Sequence, residues 1–363
     1  MRRDEITEPT SDPYAEATSD LDRFGALIAG LITALLDEAD ISFLNVSYRV
    51  KTRGSASRKL AKGRGKYADY KSLHDLLGIR VITYFNDEVD RVGELLQAQF
   101  AVDAANSVDK RQLLDAREFG YLSLHYVLTL DEKRRELPEY RRYVGIPFEI
   151  QIRSVLQHAW AEIEHDLGYK SAQSLPPKLQ RHFARLASLL ESADDGFVAL
   201  RDQITQSEHE AVSEVTQSPK SPLTPLTALA VITKNPVARG LDEYVSELLN
   251  SSLEGGGYYT SEPELEWLRQ MGIETIEDFE QAYVENAETV KRYARKWINK
   301  DHRRGTVERG ISVWYLEMTL LAKMPQHEQE EVFQRYGTVP PEQKDRALGD
   351  IRATWAAINR TED

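Results

Sequence analysis

"FEIQIRSVLQHAWAEIEHDLGYK", residues 148–170, changes character partway through. Phe148, Ile150 and Ile152 alternate with Glu149, Gln151 and Arg153. Successive side chains of a strand leave by opposite faces, so the apolar set meets a core while the carboxylate, amide and guanidinium share the other side. From Ser154 to His165 the alternation gives way to a helical segment carrying His158, Trp160, Glu162 and Glu164. A half-buried strand that runs straight into a helix predicts a domain mixing both elements, with its chemistry on the polar face of that strand.

Working outward, 41–50, 78–85 and 121–130 are rich in β-branched and aromatic residues and predict three more strands. Apolar residues at helical spacing predict helices over 24–36, 87–100 and 175–204. The expectation is an α+β (α/β) domain over 20–204, a mixed sheet flanked by helices, preceded by a disordered or weakly ordered stretch over 1–19. The Ser/Thr/Pro/Glu-rich stretch 205–225 predicts a linker. A mostly α-helical domain follows over 226–363, with helices expected near 241–249, 264–271, 276–297, 311–322 and 345–358. It carries no catalytic cluster and is expected to regulate or to bind a partner.

Composition narrows the function. The chain of 363 residues has no cysteine, so disulfides and thiolate chemistry are absent. The polar start and the shortness of the apolar run 24–36 argue against secretion and a membrane span, which leads to the expectation of a cytoplasmic protein. A net charge of -13 speaks against a protein that coats nucleic acid with its whole surface. Between Arg49 and Lys71, however, basic residues crowd together with Asp69 as the only acid.

That local charge suits polyphosphate. Phosphoryl-type transfer needs a cationic cradle and carboxylates that hold Mg2+. Lys51, Ser55 and Lys59 follow at steps of four, one face if the segment is helical. Asp75, ahead of the second strand, and Glu149 are the carboxylates best placed to share a metal. No GxxxxGK[ST] or GxGxxG is present, which excludes P-loop and Rossmann readings. His158 and His165 lack the HExxH pattern of a zinc site and read as structural histidines. His125 fits equally a core histidine and a phosphate contact.

Taken in order, Arg49-Val50-Lys51 with Ser55 and Lys59, His74 to Arg80, Gly120 to His125, Glu149 to Arg153 and Trp160 to His165 resemble the synthetase domain of RelA/SpoT proteins. The resemblance implies a nucleotidyltransferase-like mixed sheet that moves pyrophosphate from ATP to a ribose 3'-hydroxyl. It also implies that Arg49 stacks on adenine while Lys51, Ser55 and Lys59 hold ATP phosphates. Asp75 and Glu149 would hold Mg2+, Glu149 also receiving the hydroxyl proton. Tyr121 would stack on the acceptor base, with Arg117, His125, Gln151 and Arg153 completing that side.

Arg117-Glu118-Phe119 departs from the asparagine, proline, lysine and asparagine common in alarmone synthetases, which leaves the acceptor open. GDP or GTP, giving (p)ppGpp, is one expectation. A toxic relative acting on the tRNA 3' CCA end, with a fused inhibitory C-terminal domain of phage-defence type, is the alternative. A catalytically inert nucleotide sensor ranks third. No counterpart of the family's HD hydrolase domain is expected, and homo-oligomerisation and a protein or intramolecular trigger for the C-terminal domain stay open.

Overall fold

The computed structural model describes residues 12–63, 65–109, 123–166, 176–298, 305–336 and 340–360. Packing divides the chain into two units, Met1–Arg201 and Asp202–Asp363. In the first, the elements run α1 (Pro13–Thr18), α2 (Leu21–Glu38), β1 (Phe43–Val50), α3 (Arg53–Lys62), β2 (Leu77–Thr83), α4 (Asp87–Gln99) and β3 (Phe100–Val102). They continue with β4 (Val108–Asp109), β5 (Leu124–Leu130), α5 (Glu132–Arg135), β6 (Phe148–Ser154), α6 (Val155–Asp166) and α7 (Pro177–Gln217).

The six strands form one mixed sheet in the order β1-β2-β6-β5-β3, with β4 beside β5. β2 and β6 pair in parallel, while β1 on β2 and β5 on β6 are antiparallel. The opening stretch behaves as its alternation predicts: Phe148, Ile150 and Ile152 are buried, and Glu149, Gln151 and Arg153 are partly exposed. Phe24, Ile28, Ile32 and Leu36 recur every fourth residue along α2 and are fully buried in the same core as Ile150 and Ile152. Gly25 lets that helix come close, because a Cβ there would collide with the Tyr48 ring of β1.

Two expectations are corrected. Residues 12–19, expected to be weakly ordered, hold α1, started by Asp12, whose side chain accepts from the Tyr14 N–H. The expected linker 205–225 is helical as far as Gln217. Its polar composition concealed two facts: no Pro or Gly interrupts it before Pro219, and Ala211 is buried while Val215 packs against the second core.

The second unit is built mostly of helices: α8 (Pro225–Lys234), α9 (Pro236–Leu248), α10 (Glu262–Gln270), α11 (Ile276–Trp297), α12 (Ile311–Lys323), α13 (Gln326–Tyr336) and α14 (Lys344–Asn359). A short parallel pair, β7 (Ser252–Glu254) with β8 (Thr306–Glu308), completes it. Thr224 and Thr275 start α8 and α11 with capping boxes. Asp242, buried, accepts from the backbone N–H groups of Gly310 at 2.6 Å and Ser312 at 2.9 Å, satisfying the otherwise orphaned start of α12. Among the described residues no helix is long and apolar enough to cross a membrane.

Candidate active site

Sheet register assembles the site. Gly78 of β2 sits between Arg49 of β1 and Glu149 of β6, and Arg80 sits between Ser47 and Gln151. Paired residues share a face, so three strands direct Arg49, Glu149, Arg80 and Gln151 to one side. These residues, with Lys51, Ser55, Asp75 and Arg153, line a cavity of 760 Å³.

At one end two lysines converge on a single oxygen. Lys51 Nζ is 2.9 Å and Lys59 Nζ 2.7 Å from Asp75 Oδ2. The sequence reading placed Lys51, Ser55 and Lys59 on one helix face; α3 starts at Arg53, so Lys51 lies in the turn before it. The cations nevertheless meet. Burial pushes the Asp75 carboxyl up, but hydrogen bonds from Lys59 and Lys51 outweigh it and hold the group below the usual aspartate range. Its Oδ1 is buried without a partner. A buried oxygen with an open lone pair suits a hard cation.

Glu149 stands on the polar face of β6. His125 Nδ1 lies 3.0 Å from its Oε1, and the other ring nitrogen of His125 bonds Ser123. Gln151 Nε2 donates to Glu149 Oε2 at 3.4 Å, and Arg153 donates to Gln151 at 3.2 Å. Burial raises the Glu149 carboxyl, yet the His125 bond and charge bring it below the ordinary glutamate value, with Asp75 opposing. His125, expected on the acceptor side, is thus held against the catalytic candidate.

The far wall belongs to α6. Arg80 pairs with Glu162 at 3.2 Å, and Glu164 and His165 also face the cavity. Burial and then the nearby Arg80 lower Arg153, as expected where guanidinium groups crowd together and an anion would be welcome. His158 is held below its ordinary value by burial and Arg80, in keeping with a structural histidine. Its Nδ1 lies 3.7 Å from Glu162.

Arg49, Lys51, Ser55, Asp75, Glu149, Gln151 and Arg153 therefore line the cavity, with Lys59 paired to Asp75 and His125 behind Glu149. Arg117 and Tyr121 lie outside the described residues. Arg80 and Glu162 were given no role from sequence. Alternation along β2 carried the signal for Arg80, which is two residues from Gly78 and on the same face, but reading it needed the parallel pairing with β6.

Residues 48–174 match the model of the region found in RelA/SpoT proteins. The chain is 27% identical over 198 residues to the GTP pyrophosphokinase YjbM of Bacillus subtilis, covering 54% of this chain and 89% of that protein. It is 24% identical over 132 residues to YwaC, a GTP pyrophosphokinase of the same organism, covering 36% of this chain and 60% of the relative. Among solved structures, a GTP pyrophosphokinase family protein from Streptococcus pneumoniae aligns with a TM-score of 0.43 at 23% identity, over 53% of this chain and 95% of that one. Small alarmone synthetase 1 of B. subtilis, bound to its product pppGpp, aligns with a TM-score of 0.41 at 24% identity, over 52% and 94%. The first unit carries a RelA/SpoT-type synthetase domain, homologous to small alarmone synthetases.

Proposed function

We propose that the protein transfers pyrophosphate from ATP to the ribose 3'-hydroxyl of GDP or GTP, making (p)ppGpp. The observation that carries this reading is the presence, in the lining of one cavity, of Glu149 backed by His125 and Asp75 held by two lysines. Lys51, Ser55 and Lys59 bind the donor phosphates, and Arg49 stacks on its adenine. Gln151 and Arg153 face the acceptor, with Tyr121 and Arg117 assigned there by the family resemblance. Guanine nucleotide is favoured as acceptor because the two curated relatives are GTP pyrophosphokinases.

The donor set fits Mg2+. Among the described residues no group of three or more acidic or histidine side chains is gathered for a metal. Two carboxylates suffice for an ion that keeps water and substrate phosphate in its shell. Asp75, through its unpartnered Oδ1, and Glu149 would hold it. When bound, Mg2+ supplies charge neutralisation on the transferring phosphates.

The protein's own groups do the rest. Glu149 accepts the 3'-hydroxyl proton, and His125 orients that carboxylate and keeps it ionised. The lysines leave Asp75 for phosphate oxygens, exchanging one anion for another. Incubating the full chain with labelled ATP, Mg2+ and either GDP, GTP or bulk tRNA tests the reading. Label on the guanine nucleotide is the expected result. Label on tRNA would replace the acceptor, and AMP release with no labelled acceptor would overturn the transfer itself.

A further inference from the structure

We propose that Tyr14 is a positioning residue for the donor site, holding Lys51 by its backbone; the proposal rests on the reading of Lys51 as a phosphate ligand. Lys51 falls between the end of β1 and the start of α3. Its N–H donates to the carbonyl of Leu76, next to Asp75, at 2.8 Å. Its carbonyl belongs to no strand or helix ladder and accepts instead from the Tyr14 hydroxyl, at 2.7 Å across 37 positions of sequence. Both backbone groups of this one residue are thereby tied, one to the segment that carries Asp75 and one to α1. A backbone carbonyl in a half-buried turn needs such a partner.

The polar and ring contacts around Tyr14 bear on the same turn. The Arg53 guanidinium lies 5.0 Å above the Tyr14 ring and forms an ion pair with Asp12. The edge of Tyr14 meets Tyr70, with centroids 5.5 Å apart at 79°. The Tyr70 hydroxyl in turn lies 2.8 Å from Ser57 Oγ on α3. Lys71 pairs with Glu16 at 2.7 Å. Residues 12–16 and 70–71 therefore grip the segment that begins the phosphate rail from two sides. α1 buries none of its residues fully; Tyr14 and Ala17 rest half-buried against the first core, and the Tyr14 hydroxyl is the part of the ring that reaches the turn.

The functional gain is preorganisation. A lysine ammonium rides on a flexible four-carbon stem and loses rotamer freedom when it meets phosphate. A fixed root lowers that cost, and affinity rises without any new contact to the ligand. Tyr14 acts on ATP through Lys51; its side-chain partners among the described residues, Lys51, Arg53 and Tyr70, are none of those assigned to the acceptor.

Tyr14→Phe removes only the hydroxyl and keeps the ring for Arg53 and Tyr70. In the full chain it is expected to raise the KM for ATP about two- to tenfold, the range open to one net hydrogen bond. The Kd of a non-hydrolysable ATP analogue, read by calorimetry, should rise in step, while kcat at saturating ATP, the KM of the acceptor and the melting temperature stay close to those of the parent. An active Tyr14→Phe enzyme with unchanged ATP KM and analogue Kd would overturn the proposal. Parallel losses of donor and acceptor affinity with a lowered melting temperature would also overturn it, by making Tyr14 a general stabiliser. If the unaltered chain bound no ATP analogue, the assignment of Lys51 itself would fall, an outcome separate from either.

Discussion

Glu149, the base in the proposed transfer, has an environment that pulls in two directions. Burial and the Asp75 charge favour the acid form, and the hydrogen bond and charge of His125 favour the carboxylate and prevail. A depressed pKa leaves the base ready at neutral pH and costs activity only as pH falls through it. His125→Asn removes the imidazole partner while burial and Asp75 remain, so the acid limb of kcat/KM against pH should move to higher pH. An unmoved limb would separate His125 from the base. Glu149→Gln and Asp75→Asn keep shape and remove charge, and each should lower the transfer of label from ATP by about two orders of magnitude or more. Full turnover by a folded Asp75→Asn protein would end the metal assignment.

At the scale of the element, β6 was legible because its alternation is strict and one of its faces is buried. The same logic anticipated β1, β2 and β5. The three-residue β3 and two-residue β4 left no such trace, since so short a stretch has no period to detect. α3 and the convergence of its lysine with Lys51 were half visible: the spacing was right and the helix start was not. Composition misled at α7, where Ser, Thr and Glu suggested a linker although Ala211 is buried and Val215, four residues on, packs against the second core. Arg80 and Glu162 could not be paired in advance because one lies on a strand and the other on a helix, joined only by tertiary packing.

α12 presents a different case. Glu317 on this helix is almost fully buried, and its Oε1 has no hydrogen-bond partner. Burial, with Glu264 adding like charge, raises its carboxyl well above the ordinary 4.5. The folded state therefore keeps a proton that the unfolded chain gives up near the ordinary value. The stability this contributes is complete below that pH and is lost as pH rises toward the folded pKa. Glu317→Gln stays neutral throughout, so it should melt higher than the parent near pH 7 and show a flatter pH dependence above 4.5. Thermal melts of both proteins at pH 4 and pH 7 would check this, and an equal or lower melting temperature for the variant at pH 7 would contradict it.

Across the whole molecule, every residue lining the cavity lies between Ser47 and His165. The candidate site thus belongs to one unit. A fragment ending at residue 210 is expected to keep the transfer activity. If the helical unit restrains the synthetase, as the sequence reading expects, that fragment should also inhibit growth more than the full chain, and Glu149→Gln should abolish the difference. Equal turnover and equal growth at matched protein levels would remove restraint from the account. The boundary itself has an evolutionary consequence. From Asp202 to Glu210 every residue of α7 is exposed, so this stretch belongs to neither core. A recombination joint placed there would preserve both hydrophobic interiors, and a lineage could exchange the module downstream of it while inheriting the synthetase intact.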